Sequence, residues 1–203
     1  MKSRIENQSS SESRIGIMGG TFNPIHLGHL VVANEVQEEF KLKKVIFVPT
    51  GIPPHKENRD IAKAEHRYIM VSLAIATNPN FAVSDIEIKR EGKSFTLDTI
   101  KKFKKIYEGA DIYFIAGTDA FIEVSTWKNI DELPSLCKFI TVSRPGYSFQ
   151  IEERFKPHTY LFEVTDLAIS STEIRRRIKE GRSIKYLVPQ SVEEYIYKHG
   201  LYR

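Results

Sequence analysis

The sequence predicts an α/β protein, a doubly wound, mostly parallel sheet with helices on both faces, and three observations predict it. Short apolar runs alternate with longer stretches whose apolar residues recur at helical spacing, the pattern of parallel strands joined by crossover helices. The runs are apolar at successive positions, as in strands buried on both faces. Finally, 203 residues at 41% hydrophobic and 28% charged make one ordinary soluble domain, long enough to bury a sizeable core.

The elements follow in order. Residues 1–13 (MKSRIENQSSSES) are polar and serine-rich without periodicity, so they read as a disordered tail, and the fold spans residues 14–203. RIGIM is the first strand and Leu27 to Phe40 the helix after it. KVIFVP is the second strand, followed by TGIPPHKENR, where prolines enforce a loop, and by a helix from Glu65 to Thr77. FAVSDIEI reads as the third strand, with a helix from Thr96 to Tyr107. ADIYFIAG, KFITVS and TYLFEV complete the strands, and Ser171 to Glu180 and Ser191 to His199 are the closing helices. In such a sheet, ligands bind beyond the carboxyl ends of the strands where strand order reverses, so motifs directly after strands carry the most weight.

Composition narrows the partners. Lys and Arg number 30 against 26 Asp and Glu, a net charge of +4 that suits an anionic ligand and falls short of a nucleic-acid footprint. The single cysteine, Cys137, forms neither an internal disulfide nor a cysteine zinc cluster, and the apolar run after it marks a core thiol. No stretch reaches the ~18 to 20 apolar residues of a membrane span, and the amino-terminal tail lacks the apolar centre of a signal peptide. A cytoplasmic location is the expectation.

The segment RIGIMGGTFNPIHLGHL joins a buried strand to a helix through two glycines and a polar, aromatic turn. Gly19 and Gly20 let backbone approach a ligand, and exposed N–H groups such as that of Phe22 would receive phosphate oxygens at the positive helix end. His26 and His29, three apart, share a helix face and can reach one phosphate. The pattern is neither a P-loop nor a dinucleotide-binding fingerprint. A zinc site would want a third ligand, which nothing nearby supplies.

A second helix start, AISSTEIRRRI, offers Ser170 as N-cap and Glu173 as the partner of a capping box. Capping leaves Ser171, Thr172 and Arg175 unexplained. Hydroxyls, N–H groups and a guanidinium there would converge on an anion, whereas Arg176 and Arg177 read as solvated. Lys56, at the tip of the proline loop, would meet a phosphate. Trp127, in STWKNIDEL, either fills the core or stacks on a ligand ring. Asp119, just past the fourth strand, is placed to accept from ribose hydroxyls.

GGTFNPIHLGHL resembles the H-x-G-H signature of the nucleotidyltransferases, and ISSTEIR their I-S-S/T-x-x-R segment. The sequence looks most like the bacterial nicotinate-nucleotide adenylyltransferases, from about Arg14 to the carboxyl end. That resemblance implies a Rossmann-like nucleotidyltransferase fold and adenylyl transfer from ATP to nicotinate mononucleotide, giving deamido-NAD and pyrophosphate in NAD biosynthesis. It implies catalytic roles for His26, His29 and Arg175. Gly19, Gly20, Thr21, Phe22, Gly117, Asp119, Arg144, Ser170, Ser171 and Thr172 would bind ATP. Lys56, Thr96 and Trp127 would bind the mononucleotide, with Trp127 on the pyridine ring. Mg2+ would arrive on the ATP phosphates, with no metal held by the protein itself. Neither nucleic acid nor membrane is an expected partner, and the chain would act as a monomer or small homo-oligomer. Asn23 and Phe95 stand where many relatives carry Asp and Tyr, which touches fine geometry alone.

Rival readings remain at this level. The same chemistry serves other acceptors, including phosphopantetheine, nicotinamide mononucleotide and alcohol phosphates in cytidylyl transfer. Trp127, Thr96 and the length weigh against phosphopantetheine. Class I aminoacyl-tRNA synthetases share an H-x-G-H element, but a KMSKS-like loop and room for a tRNA-binding domain are missing. A non-catalytic nucleotide sensor would keep the phosphate sites without turnover.

Overall fold

The computed structural model describes residues 13–52, 61–118, 121, 127, 129–143 and 151–203. Its strands are β1 (Arg14–Gly20), β2 (Lys44–Pro49), β3 (Phe81–Val83), β4 (Asp111–Gly117), β5 (Lys138–Ser143) and β6 (Thr159–Glu163). They form one sheet in the order β3-β2-β1-β4-β5-β6, every neighbouring pair parallel. The helices are α1 (Leu27–Glu39), α2 (Ala64–Ile75), α3 (Thr96–Ile106), α4 (Ser171–Lys179) and α5 (Gln190–Lys198). The doubly wound architecture is the one the alternating pattern predicts. No helix among the described residues is long and apolar enough to cross a membrane.

Alternation along β1, β2, β4 and β5 loads both faces. On β1, Ile15 and Ile17 enter one core with Ile46, Phe114 and Phe139, beneath α3. Met18 enters the other with Val45, Phe47, Ile115 and Ile140, against α1, α2, α4 and α5. With both faces covered, the strands carry apolar side chains at nearly every position. Cys137 is buried in the first of these cores, and burial pushes its thiol up to about 12, as expected of an inert core residue.

Three boundaries depart from the sequence reading. β1 runs on through Gly19 and Gly20, which pair with Val48 and Pro49 of β2 and so belong to the strand rather than to the turn. β3 ends at Val83, because Ser-Asp turn chemistry takes over: the Ile86 N–H donates to Ser84 Oγ, and that of Lys89 to the Asp85 carbonyl. Ser13 belongs to the fold, its carbonyl accepting from the Asp111 N–H at 3.2 Å, while the remainder of the tail lies outside the described residues.

β1 and β4 are adjacent, but the chain leaves β1 toward β2 and β4 toward β5. Their carboxyl ends therefore flank the point where strand order reverses, which opens a crevice.

Phe139 is fully buried and packs against the rings of Phe121 and Phe155. Phe139→Ala should cost about 3 to 5 kcal/mol. Urea unfolding checks this as a lowered midpoint with an unchanged slope.

Candidate active site

The crevice holds a cavity of about 610 Å³. Gly19, Gly20, Thr21, Phe22, His26 and His29 form one wall, and Thr96, Gly117, Thr118 and Trp127 face it from the other side of the switch point. The site residues predicted on β1 and its turn, together with Thr96, Gly117 and Trp127, thus come together.

The turn between β1 and α1 is shaped by its glycines in a way the sequence reading did not foresee. A Cβ on Gly20 would lie 2.9 Å from Cζ of Phe22, so the glycine admits the Phe22 ring rather than a ligand. Phe22 itself has φ 47, in the left-handed region, and its ring meets His29 edge-on at 5.2 Å. Gly28 is similarly crowded: a Cβ there would lie 3.1 Å from Nδ1 of His26, a contact that would press on the ring. The glycine of H-x-G-H is the room the first imidazole occupies.

His26 caps α1, and its backbone N–H donates to Nδ1 of His29 at 3.2 Å. Because that Nδ1 accepts, the proton of a neutral His29 sits on Nε2, as a donor. The two rings lie against each other with centroids 3.7 Å apart and planes tilted by 34°. His26 is only 7% exposed, and its buried Nδ1 has no hydrogen-bond partner among the described residues. Burial lowers His26 to about 4. Burial, and then the neighbouring His26, hold His29 well below the usual imidazole range. Both rings are thus neutral at pH 7, so they offer N–H dipoles rather than full charges.

The second predicted phosphate segment reaches the same turn. Ser170 caps α4, accepting from the Glu173 N–H at 3.1 Å. The reciprocal half of the capping box is not made: Arg176 and Arg177 hold the Glu173 carboxylate and keep its pKa down at about 2. The Ser171 hydroxyl donates to the Pro24 carbonyl at 2.8 Å, and Arg175 to that of Asn23 at 2.9 Å and to Thr172 Oγ1 at 3.4 Å. Ser170, Ser171, Thr172 and Arg175 are not among the residues lining the cavity; they tether the turn that is. Lys56, Asp119 and Arg144 lie outside the described residues.

Trp127 stands at the boundary between core and cavity. It packs edge-on against Phe114 of the core at 5.7 Å and also lines the cavity. Beside it, Glu87 was missed by the sequence reading: this buried cavity residue accepts from Thr99 Oγ1 at 2.7 Å. Burial raises its pKa, opposed by hydrogen bonds from Thr99 and Ser94. Arg67 was missed as well. The available signal was its place in the apolar stripe of α2, with Met70, Val71 and Ile75.

The profile of the cytidylyltransferase-like family matches residues 17–177. A Thermoanaerobacter sp. (strain X514) protein named "Probable nicotinate-nucleotide adenylyltransferase" is 54% identical over 201 residues, 95% of each chain. One of the same name from Thermus thermophilus is 50% identical over 190 residues, 94% of this chain and all of the other. Among solved structures, the nicotinic acid mononucleotide adenylyltransferase of Plasmodium falciparum, complexed with NaAD, superposes with a TM-score of 0.79 at 24% identity. That match covers 94% of this chain and 98% of the other, and supports the fold.

The buried, touching imidazoles make stability depend on pH. An unfolded His26 takes its proton near 6.5 and the folded one only near 4, so between these values the unfolded chain binds more protons. The contribution is complete above about 6.5 and lost as pH falls toward about 4. Urea titrations across this range should show the decline, flattened in a His26→Gln/His29→Gln variant; an unchanged acid limb would contradict it.

Proposed function

The chain belongs to the nicotinate-nucleotide adenylyltransferases of the cytidylyltransferase-like family, and we propose that its cleft transfers the adenylyl group of ATP to nicotinate mononucleotide, forming deamido-NAD and pyrophosphate in NAD biosynthesis. The observation that carries this reading is the pair of touching imidazoles at the head of α1, lining a cavity at the switch point of a parallel sheet. The phosphate of the mononucleotide attacks the α-phosphorus of ATP in line, and pyrophosphate leaves. A phosphate monoester is already an anion at neutral pH, so no protein nucleophile is required; the protein holds two repelling anions together and stabilises the charge that develops.

In this reading His29 donates from Nε2 to the α-phosphate, and His26 donates beside it. Contact with the phosphate raises the pKa of both rings, since a nearby anion favours the charged form. Thr21, Phe22 and the head of α1 cradle phosphate oxygens. Arg175, Lys56 and the α4 head with Ser170, Ser171 and Thr172 steady the departing pyrophosphate. Arg175 acts there with the donors its bonds to Asn23 and Thr172 leave over. Gly117, Asp119 and Arg144 serve the adenosine side, and Thr96 and Trp127 the pyridine ring.

Among the described residues no three carboxylate, imidazole or thiol side chains converge on one point. Mg2+ would arrive with the triphosphate and partly neutralise its charge. ATP and a mononucleotide are polyanions that a bilayer excludes, which puts the enzyme with them in the cytoplasm.

His29→Ala should lose at least about a hundredfold in pyrophosphate release while remaining folded. Turnover near wild type would remove His29 from the mechanism. Trp127→Ala should raise the KM for nicotinate mononucleotide about tenfold, roughly 1 to 2 kcal/mol of stacking, and leave that for ATP nearly unchanged. A panel of nicotinate mononucleotide, nicotinamide mononucleotide and phosphopantetheine, compared by kcat/KM, tests the acceptor: highest values for nicotinate mononucleotide support the reading, and binding without pyrophosphate release overturns it.

A further inference from the structure

Arg67 of α2 is 1% exposed, and no carboxylate pairs with it among the described residues. Its guanidinium instead donates to four backbone carbonyls: Ala62 from Nε at 2.9 Å, Thr21 from Nη1 at 2.7 Å, and Thr50 and Gly51 from Nη2 at 2.6 and 3.1 Å. A buried cation of this kind is expensive to desolvate, and a well-packed apolar side chain would serve stability at least as well. The guanidinium differs from such a side chain in geometry: a rigid planar fork fixes several acceptors relative to one another.

Those acceptors belong to the two loops that leave β1 and β2 into the cleft, and both Thr21 and Thr50 line the cavity. A trans peptide points its carbonyl and the following N–H in opposite directions. The bond to the Thr21 carbonyl therefore turns the Phe22 N–H away from Arg67, which does not itself line the cavity. The same logic is visible at the next site, where the Thr50 carbonyl meets Arg67 and the Gly51 N–H points oppositely, donating to Ser94 Oγ at 3.3 Å. Gly51 is wedged there, since a Cβ on it would lie 2.3 Å from the Glu87 carbonyl oxygen. Ser94 opens the segment that carries Thr96.

We propose that Arg67 is a positioning residue for the transfer reaction. Through the Thr21, Thr50 and Gly51 carbonyls it holds the phosphate-cradling turn after β1 in register with the root of the acceptor-side loop after β2. It touches neither substrate, and its role rests on the adenylyl-transfer reading above.

The test compares wild type, Arg67→Lys and Arg67→Ala in pyrophosphate release with ATP and nicotinate mononucleotide, at a temperature where circular dichroism shows each variant folded. Displacement of the turn by a fraction of an ångström should cost about ten- to a hundredfold in kcat, with the KM for ATP changed by less than about threefold. Lysine keeps the charge but cannot span the carbonyls, so Arg67→Lys should also lose most activity. Millimolar guanidinium should restore much of the kcat of Arg67→Ala, and methylammonium at equal ionic strength should not. A folded variant with near wild-type kcat, a loss matched by the unfolded fraction, failure of both variants to fold, or absence of guanidinium rescue overturns the proposal. Wild type without pyrophosphate release overturns the adenylyl-transfer reading itself and this role with it.

Discussion

Three carbonyls of the turn after β1 are each taken by a side chain from a distant element. Arg67 takes that of Thr21, Arg175 that of Asn23, and Ser171 that of Pro24. Peptide planarity then turns the Phe22 N–H away from Arg67 and the Ile25 N–H away from Ser171, whereas the Asn23–Pro24 unit carries no N–H and Arg175 fixes only the course of the chain there. An anion site made of backbone N–H groups needs this arrangement, since a carbonyl turned into the cleft would repel the phosphate it should hold. Further anchors add to it: Asn23 Oδ1 accepts from the Ala62 N–H and from the Tyr202 hydroxyl near the carboxyl end of the chain.

The imidazoles extend the same principle from backbone to side chain. His29 is held by a backbone donor at Nδ1, which leaves Nε2 as its proton donor. His26 is held by packing, with its ring over Gly28 and against His29. Burial depresses both imidazoles, and an arriving phosphate supplies the charge that draws them back up. The same burial that prepares the site for an anion makes the fold less stable at low pH.

Much of this was legible in the residues themselves. The strand and helix runs stand within a few residues of their predicted bounds because hydrophobic periodicity is a local property. His26 and His29 were legible from their spacing at a helix start. Ser171 and Arg175 were recognisable as unusual but not as tethers, because their acceptors, Pro24 and Asn23, lie 147 and 152 positions away. β3 was drawn too long because turn chemistry at Ser84 and Asp85 outweighed an apolar pattern that continued past it.

By itself, then, the sequence determined which segments are strands and helices, and which short motifs could bind phosphate, since both follow from the near neighbours of each residue. Only the tertiary structure decided that β1 lies beside β4, that Gly20 and Gly28 exist to admit Phe22 and His26, and that a buried Arg67 joins two loops. These depend on contacts between residues far apart along the chain. Closing such loops has an entropic cost that only the packed core offsets, and no local window of sequence records which distant partner completes them.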